Sequence, residues 1–102
     1  MKVNEGRFPP IHPGDVLKIE FLEPLGLTAY RLGKRTGIPA SRLSAILNSK
    51  RLITVDTAAR LAAFFGNSPR FWLNLQTSYD LQRAEESIKL INAEVEVYSQ
   101  AS

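Results

Sequence analysis

The sequence predicts an all-α protein of five helices with a short C-terminal extension, in which the second and third helices form a tight pair. Three observations carry this reading. Apolar residues recur at helical spacing in five segments; Ser, Thr, Pro and Gly stand where those segments start and stop; only the last stretch alternates as a strand would. Pro9 and Pro10 keep the start extended. His12 reads as a helix-start residue rather than a metal ligand, and Pro13 follows it in the first turn, with Asp15 complementing the helix dipole. Val16, Leu17, Phe21 and Leu22 make the inner face of this first helix, about residues 13–23, and Pro24 is expected to end it.

Thr28 is the N-cap of a second, short helix that stops at Gly37. Pro39 opens the third, about residues 39–47, with Leu43, Ile46 and Leu47 on one side and Asn48-Ser49-Lys50 as its closing turn. Thr54 caps the fourth, where Ala58, Leu61, Ala62 and Phe65 follow the i, i+3, i+4, i+7 rule up to Gly66. Ser68-Pro69 starts the fifth, which carries Phe71, Trp72, Leu75 and Tyr79. Beyond it two periods compete. Leu81, Ala84, Ile88, Ile91 and Val95 keep a helical spacing, whereas Ala93, Val95 and Val97 alternate with Glu94, Glu96 and Tyr98. The reading favours helix to about Ile91, followed by a strand or a frayed tail. The chain is expected to form a single domain, residues 1–102, with a core over about 11–86 and a tail over 87–102.

Composition removes whole classes of function. The 102 residues include no cysteine and one histidine, so neither a thiolate nor a His-rich metal site is expected, and no cofactor is implied. No apolar run approaches the ~18 residues of a membrane span. The opening MKVNEGRFPP lacks the apolar stretch of a secretory leader, so the expected location is the cytoplasm. Glu85 and Glu86, as helix neighbours, point about 100° apart and have no nucleophile beside them. No catalytic residue is assigned, and no enzyme is expected.

Charge is unevenly spread. Residues 28–60 hold seven bases (Arg31, Lys34, Arg35, Arg42, Lys50, Arg51, Arg60) against Asp56 alone, a surplus of six in a chain whose net charge is +3. From Asp80 onward five acids face two bases. Such a positive segment is the footprint of a face that binds a polyanion. The spacing inside it is informative. Gly33 lacks bulk where two short helices would cross, Gly37 suits the positive φ of a sharp turn, and Ile38, Leu43 and Ile46 anchor the second helix of the pair. This is the arrangement of a helix-turn-helix over about Thr28 to Asn48.

The opposite face of that helix carries Ala40, Ser41, Arg42, Ser44 and Ala45, short or flexible residues suited to a DNA major groove. Alanine can touch a thymine methyl, serine can bond a base or phosphate, and Arg42, facing away from Leu43 and Ile46, can hold guanine. Lys34, Asn48, Lys50 and Arg51 flank the face to hold phosphates, and Thr28 completes the expected DNA-binding set. Once a four-helix core is filled, Trp72, Leu81, Ile88, Ile91, Val95 and Val97 remain as an apolar patch. They predict a two-fold dimer built on helix five, with Val95 and Val97 pairing as a short strand across the axis.

The run from Ile11 to Leu81, about 70% of the chain, resembles HigA-type antitoxins, also described as virulence-associated protein I-like. The most specific pieces are His12-Pro13-Gly14-Asp15, Glu23-Pro24-Leu25-Gly26-Leu27 and Ser68-Pro69-Arg70-Phe71-Trp72-Leu73-Asn74-Leu75-Gln76. The resemblance implies a phage-repressor-like helix-turn-helix fold and a homodimer on a palindromic operator in its own promoter. It also implies neutralisation of a HigB-like toxin that resembles ribosome-dependent mRNA interferases. The family's groove-facing positions fall on Ala40, Ser41, Arg42, Ser44 and Ala45. Two departures stand out: the family often has alanine at the place of Gly33 and glycine at the place of Ser49. The alternatives are a stand-alone helix-turn-helix regulator and a module that binds protein without DNA.

Overall fold

A computed structural model describes residues 10–99; Pro9 and the last three residues of the expected tail lie outside that span. All the regular structure among the described residues is helical, in six helices rather than five. The first, α1, is one continuous rod that starts as Pro13–Val16, widens through Leu17–Leu22 and closes as Glu23–Leu25. It is followed by α2 (Ala29–Thr36), α3 (Ala40–Leu47), α4 (Val55–Phe65), α5 (Pro69–Arg83) and α6 (Glu85–Glu94).

The caps lie where the sequence places them. Thr28, Thr54 and Ser68 accept backbone N–H bonds from Arg31, Thr57 and Phe71 at 3.1, 3.4 and 3.1 Å. Each satisfies a donor that the first helical turn leaves without a partner. His12 caps α1 in the same way, its Nδ1 accepting from the Gly14 N–H at 2.8 Å. Pro24 does not end α1, contrary to expectation. In the widened segment the Glu23 N–H reaches the Lys18 carbonyl, five residues back, instead of the usual four. A proline ring crowds the carbonyl four residues before it, and a wider turn relieves that clash.

Leu17, Leu22, Leu32, Ile38, Leu43, Ile46, Ile53, Ala58, Leu61, Ala62 and Trp72 form the core, drawn from α1 to α5. Trp72 is a correction to the sequence reading. It is fully buried, packs on Phe21 and Phe65 at centroid separations of 5.0 and 6.0 Å, and donates its indole N–H to Asn67 Oδ1 at 2.9 Å. A side chain so enclosed belongs to the core of this chain and has no surface to offer a second copy.

At Ala84 (φ −95°, ψ 8°) the chain leaves α5 and re-enters α6, which runs three residues past the expected Ile91. Val95 is extended (φ −88°, ψ 130°), but no ladder forms from it to Ser99 within the described chain. A strand needs a neighbouring strand, and among the described residues of one chain none lies beside it. No residue of α6 is buried. The principal extents, 58 × 29 × 23 Å, are those of a helical core with an arm.

Candidate nucleic-acid interface

The position of α3 follows from what stands behind it. Leu43 and Ile46 are buried, and Gly33 of α2 lies so close that a Cβ there would stand 3.2 Å from the Ile38 carbonyl oxygen. Between the helices Gly37 adopts φ 79°, a left-handed conformation that glycine enters without strain. The far end of α3 is fixed by a backbone contact that sequence reading missed. A Cβ on Gly14 would overlap the Ile46 carbonyl, so α1 abuts the last turn of α3 with no side chain between. Burial of Gly14 between His12 and the core is the structural reason for a glycine inside the His12-Pro13-Gly14-Asp15 run.

After α3 the chain makes a tight reversal. The Ser49 N–H bonds the Ile46 carbonyl at 3.0 Å, and the Lys50 N–H bonds the Ala45 carbonyl at 2.8 Å. This double closure needs a left-handed residue, and Ser49 takes it with φ 59°, the one described non-glycine at positive φ. The departure from glycine noted in the sequence therefore falls on a strained position. Two buried polar groups hold the segment that follows. Gln76 of α5 accepts the Ile53 N–H at 2.8 Å and donates to Asp80 at 3.0 Å. His12, which caps α1 through Nδ1, also meets the backbone of Arg51. Burial holds the His12 pKa below its ordinary value of 6.5 and outweighs the opposing pull of Asp15, Arg51 and Asp80, while Arg83 adds to the lowering.

The structure brings five of the expected residues together. Ser41, Ser44, Ala45, Asn48 and Lys50 line one shallow hollow on the outer side of α3. Ala40 is exposed at the start of that helix, and Arg51 is exposed in the turn after it. Thr28 lies apart at the head of α2, its hydroxyl engaged as a cap. Lys34 stands on α2 with its ammonium 5.7 Å from the centroid of the Tyr30 ring.

Arg42 departs from expectation. It is only partly exposed, and its guanidinium is turned to α4, donating to Asp56 Oδ2 at 3.0 Å and Thr57 Oγ1 at 3.3 Å. Asp56 also receives Arg60 Nε at 3.1 Å, and Arg60 Nη1 donates to the Thr36 carbonyl at 3.0 Å. The two guanidinium groups, Arg42 first, hold the Asp56 carboxyl below the usual carboxylate range. This chain of contacts ties α3, α4 and the end of α2 at the surface. Its only signal in the sequence is that Asp56 is the lone acid between residues 28 and 60. Periodicity places Arg42 off the core but does not say which charge it meets.

Likeness to known proteins follows the same boundaries. The helix-turn-helix family profile matches residues 19–72. Virulence-associated protein I of Dichelobacter nodosus is 44% identical over 88 residues, covering 86% of this chain and 82% of that protein. A HigA-family addiction module antidote protein from Coxiella burnetii superposes with a TM-score of 0.82 at 49% identity, covering 89% of this chain and all of that one. The Pseudomonas aeruginosa antitoxin HigA, solved with the higBA promoter, superposes with a TM-score of 0.80 at 34% identity, covering 88% of this chain and 99% of that one. The chain belongs to the helix-turn-helix family of HigA-type antitoxins and virulence-associated protein I, a family of DNA-binding regulators and not of enzymes.

Proposed function

We propose that the protein is a dimeric antitoxin that binds a palindromic operator in its own promoter, represses its operon and neutralises a HigB-like mRNA interferase. The observation that carries the DNA-binding part is the outer face of α3. Short polar side chains line an open hollow there, in a segment with six surplus positive charges, on a fold shared with an antitoxin solved with its promoter. Ala40, Ser41, Ser44 and Ala45 approach base edges, and Thr28, Lys34, Asn48, Lys50 and Arg51 hold the phosphates on either side. The unit that does this is one domain over residues 11–86, and the tail joins two copies.

One α3 spans only a few base pairs, so two copies about 34 Å apart, one turn of DNA, are needed for useful specificity. Leu81, Ile91, Val95 and Val97 are exposed and Ile88 is half-exposed, which supplies an apolar surface for a two-fold contact. None of the described helices is long and apolar enough to cross a membrane, and the reading places the protein in the cytoplasm with its operator.

Mobility-shift titration against the chain's own upstream DNA and against random duplex tests the proposal. Operator binding should survive higher salt than random binding, and both should fall steeply as salt rises, because counterion release dominates. Equal affinity for the two duplexes would leave only a polyanion-binding protein. Co-expression with the adjacent small reading frame tests the second half: growth arrest by that product alone, relieved by this chain, is the expected result. If the product is harmless, the chain acts as a stand-alone regulator.

A further inference from the structure

Arg42 is the only cation on the outward half of α3, and the long side chain best able to grip a guanine. Yet it is held through two bonds by α4, to Asp56 at 3.0 Å and Thr57 at 3.3 Å. Asp56 holds Arg60 at the same oxygen, and Arg60 is anchored in turn to the Thr36 carbonyl. The lone acid of the basic segment therefore sits between two of its arginines, and removing it would leave Arg42 held only by the Thr57 hydroxyl while Arg60 keeps the Thr36 carbonyl.

We propose that Asp56 is a specificity-determining residue: by tethering Arg42 to α4, it keeps an indiscriminate cation off the DNA and leaves sequence reading to the short side chains of α3. The inference rests on the DNA-binding reading above and adds a residue outside the helix-turn-helix pair to it. A free arginine at a groove finds phosphates or guanines in nearly any duplex, so it raises affinity for wrong sites as readily as for the right one. A tethered one contributes little to either. Discrimination, a difference between affinities, is greater with the tether.

The test is a double-mutant cycle of Asp56→Asn and Arg42→Ala on the full chain, read by titration of operator and random duplex over a salt series, with thermal melts of each variant. Asp56→Asn should tighten random-duplex binding by about tenfold and steepen its salt slope by about one unit, with a smaller gain on operator. In the Arg42→Ala background the same substitution should lose most of that gain. A gain of equal size in both backgrounds would mean that Asp56 acts only as a repelling charge, and the tether idea would fall. Arg42→Ala alone supplies an independent reading that leaves Asp56 in place. It should change operator affinity by less than about threefold, whereas a folded Arg42→Ala protein losing tenfold or more would make Arg42 a reader, the opposite of the proposal. If the unaltered protein binds no DNA, the functional reading itself fails, and that result is distinct from either failure of the tether.

Discussion

α5 and α6 follow each other across the single residue Ala84, yet they meet different fates. Both carry apolar residues at helical spacing. α5 buries Trp72 and Gln76 against the rest of the chain, and α6 buries nothing. The difference is one of partners. α5 lies along α4 and reaches back to His12 through Tyr79, whose ring meets the imidazole edge-on at 4.8 Å. α6 passes beyond the end of the core and touches little besides α5. Periodicity thus states that a helix has an apolar side, while the covering of that side depends on chain geometry or on a second molecule. Helices of ten residues are marginal alone in water, so α6 is expected to gain much of its order from whatever covers it.

Substitution should sharpen this contrast. Trp72→Ala removes the largest fully buried side chain and strands Asn67, and is expected to cost about 3–5 kcal/mol in denaturant melts. A loss below about 1 kcal/mol would mean that Trp72 is not a core residue. Gln76→Leu keeps the volume but leaves the buried Ile53 N–H without its acceptor, a cost of about 1–3 kcal/mol. Amide exchange at Ile53 should speed up in that variant, and unaltered exchange would deny Gln76 its anchoring role.

The His12 contact of α5 gives a pH dependence. The folded-state pKa is lowered by burial, so below 6.5 the unfolded chain binds the proton more readily than the native one. Stability should therefore be full above pH 6.5, fall as pH drops through that value, and level off once the folded imidazole is protonated too. His12→Asn keeps a capping acceptor without a titrating ring, and its melting temperature should lose this step between pH 7 and pH 5. A step of undiminished size would assign the effect to another group. The smallest effect on the fold itself is expected in α6. Replacing Ile88 and Ile91 together by serine should move the dilute monomer's stability by less than about 0.5 kcal/mol. Sedimentation should show the same pair weakening self-association by tenfold or more. A large loss of stability in the monomer would contradict the exposure of α6.

Much of this was legible in advance because it is local. Thr28, Thr54 and Ser68-Pro69 begin helices, and Gly37 and Gly66 end them, for reasons that concern a few consecutive residues. The inner faces of α3 and α4 follow from their periods alone. What was illegible lies between residues distant in sequence. Nothing near Gly14 announces the Ile46 carbonyl, and nothing near Gln76 announces Ile53, 23 residues away. Trp72 reads both as core and as interface in the sequence, because counting apolar residues cannot say which of them the core takes first. Periodicity gives Arg42 to the groove face because it shows only that the side chain lies off the core. Among the candidate site residues, helical spacing puts Ser41, Ser44 and Ala45 on one face and Asn48 and Lys50 beside it, but says nothing of the hollow they share or of the tether next to it.

The backbone contact of Gly14 with the end of α3 has an evolutionary consequence. Apart from the Arg42 tether, α3 is fixed by a glycine, a turn and inward aliphatic groups, none of which belongs to the face turned outward. Ala40, Ser41 and Ser44 can therefore be exchanged at almost no cost to folding, since exposed positions away from caps usually change stability by under about 0.5 kcal/mol. On the proposed reading, a duplicated copy would drift to a new DNA address through a few outward changes while its scaffold stays intact.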